Sequence, residues 1–335
     1  MLMAGEIARQ TQHHHPLTEA IMTQHTLLLL SRDNAHYQTL LRRMALPGLR
    51  LLCPEDEEQA LALAPEAELL LGEPAAIAQV LHQATRLRWA QSTYAGVDAL
   101  LKPGLRQDYL LTNVRGIFGP LMSEYVFAHL LSLTRHLPLY REQQTQHQWR
   151  QHPYRPLSER RLLILGTGSI GQHLAQTAHQ FGMTVWGVNR HGREVAGFDD
   201  IFQVSALAHL LPQVDVIVSA LPSTRETRHL FNREMLAYCQ SSAILFNVGR
   251  GDAIDSRALL EALQAGRPGA AVLDVFEEEP LPAQDPLWHL PNLIITPHNS
   301  AWSLPEQVIK IFERNYRAYL DGKTLTALVN FELGY

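Results

Sequence analysis

Arg161-Leu162-Leu163-Ile164-Leu165-Gly166-Thr167-Gly168-Ser169-Ile170-Gly171 is the stretch on which the fold turns. The aliphatic run reads as a buried strand, and a GxGxxG pattern follows it without a break. Behind the glycines, Ile170, Leu174, Ala178 and Phe181 recur at helical spacing, so the loop opens a helix. Glycine triplets alone carry little weight, but between a strand and a helix each has a job. Gly166 permits the tight turn, Gly168 lets backbone approach a pyrophosphate, and Gly171 lets the helix pack on the sheet, with phosphate at the helix N-terminus. Gly166, Thr167, Gly168, Ser169, Ile170 and Gly171 are therefore expected to hold a dinucleotide.

Working outward, strand-like runs stand at residues 162–165, 184–188, 215–219, 243–247, 270–273 and 293–296. Six is the number a doubly wound dinucleotide fold uses. A helix over 256–265 has Ser256 as its expected N-cap and Gly266 as its stop. Upstream, runs at 26–30, 49–52, 68–71 and 87–90 alternate with helical stretches at 35–44, 55–63 and 75–83, a pattern that favours a parallel sheet. Ser123 is read as opening a long apolar helix to about residue 135, with Glu124 in its first turn; residues 143–158 are polar and irregular. An amphipathic helix over 304–320 is expected to return to the first part. The expected fold class is α/β, with two Rossmann-like or flavodoxin-like domains, doubly wound parallel sheets and a cleft between them. Residues 25–119 with 301–335 form a substrate-binding domain and residues 120–300 the dinucleotide-binding domain. Residues 1–24, with His13, His14 and His15, are read as a flexible extension and not as a metal site.

The 335-residue length suits two cores, and 46% hydrophobic with 18% charged residues is an ordinary globular balance. A net charge of −5 with no Lys/Arg run argues against nucleic acid as a partner. Cys53 and Cys239 stand in no CxxC pattern, so neither a zinc site nor a disulfide framework is expected, and a cytoplasmic, reducing setting fits. The longest aliphatic run, residues 27–30, is far too short to cross a membrane.

After the second strand of the glycine-loop domain, where an acidic residue would accept a ribose 2′-hydroxyl, stand Asn189, Arg190, His191, Gly192 and Arg193. With no carboxylate there, Arg190 and Arg193 favour NADP(H) over NAD(H); NAD(H) remains possible where both arginines face solvent. Three further segments begin where expected strands stop: Asn247-Val248-Gly249-Arg250-Gly251, Asp274-Val275-Phe276-Glu277-Glu278-Glu279-Pro280, and Thr296-Pro297-His298. In an open α/β sheet the carboxyl ends of the strands border the ligand crevice, so Arg250, Glu279 and His298 are expected to converge there. A cation, an imidazole and a carboxylate that keeps the imidazole protonated suit reduction of a 2-keto acid. Singly, each residue has a duller reading as a surface charge or a structural histidine; their order on strand ends sets them apart.

These segments, with Ala95-Gly96-Val97-Asp98 and Leu221-Pro222, resemble the D-isomer-specific 2-hydroxyacid dehydrogenases, which include glyoxylate/hydroxypyruvate reductases. The resemblance runs from about Leu87 to Ala301, and the intervals 279 − 250 = 29 and 298 − 279 = 19 match the family's arginine, glutamate and histidine. It implies that Arg250 binds substrate, that Glu279 pairs with His298, and that His298 exchanges the proton. It implies that backbone N–H groups of Ala95, Gly96 and Val97 receive the substrate carboxylate. Cofactor contacts would come from the glycine loop, Asn189, Arg190, Arg193, Leu221, Pro222, Val248, Gly249, Arg250, Asp274 and His298, with Asp274 on the nicotinamide carboxamide. It also implies a homodimer formed through the Ser123 helix and the irregular stretch after it, with Trp149 reaching a neighbouring subunit. Tyr94, Tyr154 and Trp302 are candidates to shape the pocket, with packing as the alternative. A reading of another class is a dinucleotide-sensing binding protein, because the C-terminal-binding-protein corepressors resemble this family and keep the same trio.

Overall fold

The computed structural model describes residues 24–334; the expected extension over residues 1–24 lies, apart from Gln24, outside them. A five-stranded parallel sheet comes first: β1 (His25–Leu30), β2 (Leu49–Leu52), β3 (Leu69–Gly72), β4 (Trp89–Ser92) and β5 (Leu110–Thr112), in the order β2-β1-β3-β4-β5. Helices α1 (Asn34–Met44), α2 (Glu57–Leu63) and α3 (Pro74–Val80) connect its strands. This order has its switch point between β1 and β3, as flavodoxin-like sheets do. Leu27, Leu28 and Leu29 are all fully buried, which is why β1 reads as one aliphatic run with no polar alternation.

Two helices then lead away, α4 (Gly119–Thr134) and α5 (Leu137–Thr145). The second sheet holds β6 (Arg161–Leu165), β7 (Thr184–Asn189), β8 (Asp200–Gln203), β9 (Val216–Ser219), β10 (Ile244–Asn247), β11 (Ala270–Leu273) and β12 (Leu293–Ile295). Its helices are α6 (Ser169–Gln180), the single turn α7 (Leu207–Leu210), α8 (Arg233–Ala237) and α9 (Ser256–Gln264). The strand order is β12-β11-β10-β9-β6-β7-β8, all parallel, so the direction of winding reverses between β6 and β9. Leu163, Leu165, Ile217 and Leu245 pack on one face, and Leu162, Ile164, Val216, Val218 and Phe246 on the other. The last helix, α10 (Pro305–Leu320), lays Val308, Ile309, Phe312 and Tyr316 against Leu27, Leu29 and Trp89 of the first sheet. The Phe312 and Trp89 rings stack with centroids 5.2 Å apart.

Several expectations are corrected. The long helix begins at Gly119, four residues before Ser123, because Pro120 suits a first helical turn; Glu124 is therefore past that turn, and the Ser123 hydroxyl meets His173 Nδ1 at 2.7 Å. The cap of α9 is Asp255, whose carboxylate accepts from the Ala258 N–H at 2.9 Å, and Ser256 is the first helical residue. The larger sheet has seven strands where six were expected, since β8 adds an edge beside β7. Likewise β5 adds an edge to the first sheet, and α5 runs into the stretch read as irregular.

Candidate active site

The glycine loop sits at the reversal of winding in the larger sheet, between the ends of β6 and β9. Gly166 has φ +100°, open to glycine and strained for other residues, and a Cβ on Gly171 would lie 2.0 Å from the Gly166 carbonyl oxygen. Gly168 differs: a Cβ there would meet nothing within 4 Å. No internal packing demands a glycine at this position, which leaves close approach by a ligand as its physical reason. The first turn of α6 carries no side-chain cap and no acidic residue, so its N–H groups point at that open space. Loop and helix end together form an anion cradle that fits a pyrophosphate.

At the end of β7, Asn189 braces its own turn and also reaches the glycine loop, where its Nδ2 donates to Thr167 Oγ1 at 3.3 Å. Its Oδ1 accepts from the N–H groups of His191 and Arg193 at 3.2 and 3.1 Å, and its Nδ2 donates to the Arg193 carbonyl at 2.8 Å. Arg190 pairs with Glu226 from the loop after β9, and Arg193 is exposed. Leu221 and Val248 are buried at the ends of β9 and β10, and Pro222 is exposed.

His298, Glu279 and Arg250 follow β12, β11 and β10 in the sheet and meet on one rim. His298 Nδ1 stands 2.8 Å from Glu279 Oε2, and the other oxygen of Glu279 accepts from the Phe276 N–H at 2.9 Å. The hydrogen bond to Glu279 raises the pKa of His298 above its ordinary value; partial burial and the positive charge of Arg250 oppose this, and the charges of Glu279 and Asp274 add to it. Burial disfavours the charged form of Glu279, yet its bonds from His298 and the Phe276 N–H, with the charges of His298 and Arg250, hold its carboxyl below the usual range.

Arg250 reaches across to the first sheet. Its Nε donates to Asp98 Oδ2 at 2.8 Å and its Nη1 to the Gly249 carbonyl at 2.9 Å. A Cβ on Gly96 would stand 1.3 Å from Arg250 Nη2, so the guanidinium occupies the space a side chain would need. The N–H groups of Ala95, Gly96 and Val97 donate to no other backbone group among the described residues. On the next loop a Cβ on Gly251 would lie 1.9 Å from Phe276 backbone, which is how the segments after β10 and β11 come to touch.

Asp274, only 1% exposed, has both carboxylate oxygens engaged within the protein. Oδ1 accepts from Thr296 Oγ1 at 2.6 Å and the Asn299 N–H at 2.9 Å, while Oδ2 accepts from the Ser300 N–H at 3.0 Å. Tyr125 OH lies 2.6 Å from Thr296 Oγ1, tying α4 into the same set. Reading the sequence missed the side chains of Asp98, Glu226, Thr296 and Tyr125. Asp98 lay inside a quoted motif, and for Glu226 nothing beyond a charge in a loop was visible.

Two parallel-sheet α/β units, with a glycine loop at the switch point of the larger, define a dinucleotide-binding protein of the two-domain dehydrogenase class. The family model for the D-isomer specific 2-hydroxyacid dehydrogenase, NAD binding domain, matches residues 127–300, and the chain belongs to that family. It is 31% identical over 266 residues to glyoxylate/hydroxypyruvate reductase A of Serratia proteamaculans, covering 77% of this chain and 84% of the relative. It is 34% identical over 270 residues to glyoxylate/hydroxypyruvate reductase B of Yersinia pestis, covering 78% and 83%. Among solved structures, a D-isomer specific 2-hydroxyacid dehydrogenase family protein from Aeromonas salmonicida superposes with TM-score 0.89 at 60% identity, over 92% of this chain and all of that one. An NADPH-dependent glyoxylate/hydroxypyruvate reductase from Sinorhizobium meliloti, solved with NADP and sulfate, has TM-score 0.84 at 25% identity, over 93% of this chain and all of that one. No helix among the described residues is long and apolar enough to cross a membrane.

Proposed function

We propose that this chain reduces a small 2-keto acid of the glyoxylate or hydroxypyruvate kind to the D-2-hydroxy acid, with NADPH as the favoured coenzyme. The observation that carries the reading is the 2.8 Å contact between His298 and Glu279 on the rim where Arg250 also stands. A bound reduced nicotinamide supplies the hydride for C2 of the substrate. Arg250, with the backbone N–H groups of Ala95, Gly96 and Val97, binds the substrate carboxylate and draws charge toward the carbonyl. Because Nδ1 of His298 is committed to Glu279, Nε2 is the nitrogen that gives a proton to the forming alkoxide. Glu279 keeps that imidazole protonated until the proton is needed, and in the reverse direction it supports the cation that forms.

The cradle at Gly168 and the start of α6 fits the pyrophosphate. For the coenzyme, the absence of a carboxylate at Asn189 and the presence of Arg190 and Arg193 favour a 2′-phosphate, and the Sinorhizobium relative was crystallised with NADP. Asp274 turns its oxygens toward the loop after β12, so its part in this reading is to hold the backbone around His298. Two free cysteines, Cys53 and the buried Cys239, fit a cytoplasmic setting.

The test is turnover. Purified protein is expected to oxidise NADPH with glyoxylate or hydroxypyruvate, to form the D product from hydroxypyruvate, and to prefer NADPH over NADH in kcat/KM. Failure across a panel of 2-keto acids, with the coenzyme still bound, would favour a protein that senses the dinucleotide without catalysis.

A further inference from the structure

The ion pair between Arg250 and Asp98 joins the two sheets across 152 residues of sequence, and no role has been given to its acidic member. Asp98 lies just beyond Val97, and its side chain is 49% exposed, against 26% for Arg250. A half-exposed pair contributes little to stability. Its effect on orientation is another matter. A guanidinium is a planar fork with five N–H donors, and here Nε is held by Asp98 and Nη1 by the Gly249 carbonyl. Those two anchors fix the plane of the fork. Nη2 is left where a Cβ on Gly96 would stand, against the backbone of that residue.

We propose that Asp98 is a positioning residue for Arg250: by accepting from Nε, it holds the guanidinium against Gly96 so that Nη2 faces the substrate carboxylate. This rests on the reading of Arg250 as the residue that binds substrate. Asp98 itself touches no reacting atom. The arrangement also ties substrate binding to the relation between the two sheets, because the residue that grips the acid belongs to one and its anchor to the other. A lysine in place of Arg250 lacks the Nε donor and the second branch of the fork, so it cannot be held from behind while binding in front.

The test uses the full chain with NADPH and glyoxylate, and oxamate as an unreactive mimic of the keto acid. Asp98→Asn keeps the shape and removes the charge; it is expected to raise the KM for glyoxylate and the Kd for oxamate about tenfold. The smaller effect is expected on kcat, with NADPH affinity and thermal midpoint unchanged. Asp98→Ala is the second variant and is expected to act in the same direction. The double variant Asp98→Asn with Arg250→Ala should be no worse than Arg250→Ala alone, since a residue acting through another has nothing left to position. Additive losses, an unchanged KM, or a parallel fall in NADPH affinity and stability would overturn the proposal. If wild type neither turns over glyoxylate nor binds oxamate, the functional reading fails and takes this inference with it. If wild type does both and Asp98→Asn behaves as wild type, only the role of Asp98 is lost.

Discussion

His298 has a φ of +52°, in the left-handed region, where a residue with a Cβ stands at a cost of about 1 kcal/mol or more. Its neighbours hold it there. The Asp274 carbonyl accepts from the His298 N–H at 2.8 Å, so the ring is presented to Glu279 by a backbone that is fixed on the other side. The raised pKa then sets the pH dependence. In the proposed reduction the imidazole acts in its protonated form, so kcat/KM for a keto acid should be level at low pH and fall as pH rises through the raised value. Glu279→Gln removes the largest cause of the rise and should move that falling limb to lower pH. A pH profile of the two proteins checks this, and coincident limbs would remove Glu279 from the mechanism. His298→Ala should lower kcat about a thousandfold, because the proton donor is gone while the rest of the site remains. At the end of β7, Glu226 neutralises Arg190. Glu226→Gln is therefore expected to tighten NADPH several-fold and leave NADH unchanged, since only the 2′-phosphate competes for that guanidinium, in line with about 1 kcal/mol for an exposed charge contact. Fluorescence titration of both coenzymes decides it; equal shifts would mean that the pair acts on something else.

Loops at strand ends assemble the site, and each is pinned by backbone contact or by a buried carboxylate. Asp274 is the clearest case, gathering Thr296, Asn299 and Ser300 around one end of β11. Removing a buried acceptor leaves its donors unpaired, so Asp274→Ala should cost about 3 kcal/mol in urea unfolding and reduce kcat along with it. Loss of stability with full activity would show that the segment carrying His298 keeps its place without this anchor. The parallel sheets were readable in the sequence because central strands buried on both faces, such as β6 and β9, are unbroken apolar runs. The edge strands β5 and β8 were not readable, since Leu110–Thr112 opens on an exposed leucine and Asp200–Gln203 has an exposed polar residue at each end, whereas the equally short edge strand Leu293–Ile295 is an unbroken apolar run. In the site, the segments carrying Arg250, Glu279 and His298 could be placed from strand order alone. Their side-chain partners could not, except Glu279 for His298. Asp98 for Arg250 and Glu226 for Arg190 depend on how loops from distant parts of the chain approach, which no local pattern records.

At the scale of the whole molecule, the segment between the two sheets exposes Leu137, Leu139, Tyr140, Trp149 and Tyr154, and Trp149 is the most exposed large apolar side chain among the described residues. Trp149 is 97% exposed, and Leu137 and Tyr154 are 54% and 53% exposed. This segment is nonetheless built as an ordered arm. Tyr140 OH accepts from the His152 N–H at 3.0 Å, Gln143 Nε2 meets His152 Nε2 at 2.7 Å, and Arg135 lies 4.1 Å from the centre of the Tyr154 ring. An ordered arm that offers a tryptophan to solvent is what a subunit interface requires: a preformed backbone and a large aromatic anchor. We therefore expect a homodimer formed through residues 119–154. Light scattering should give a mass near twice 37.8 kDa at micromolar concentration. Trp149→Ala removes the anchor without touching either sheet, and it should raise the dimer dissociation constant by about thirtyfold or more. Because Arg250, Glu279 and His298 all come from one chain, coenzyme affinity should be the same in this variant; any change in glyoxylate KM would then report a residue that the second subunit lends to the pocket. A wild-type protein that stays monomeric at these concentrations would leave Trp149 as a surface residue and the cleft complete within a single chain.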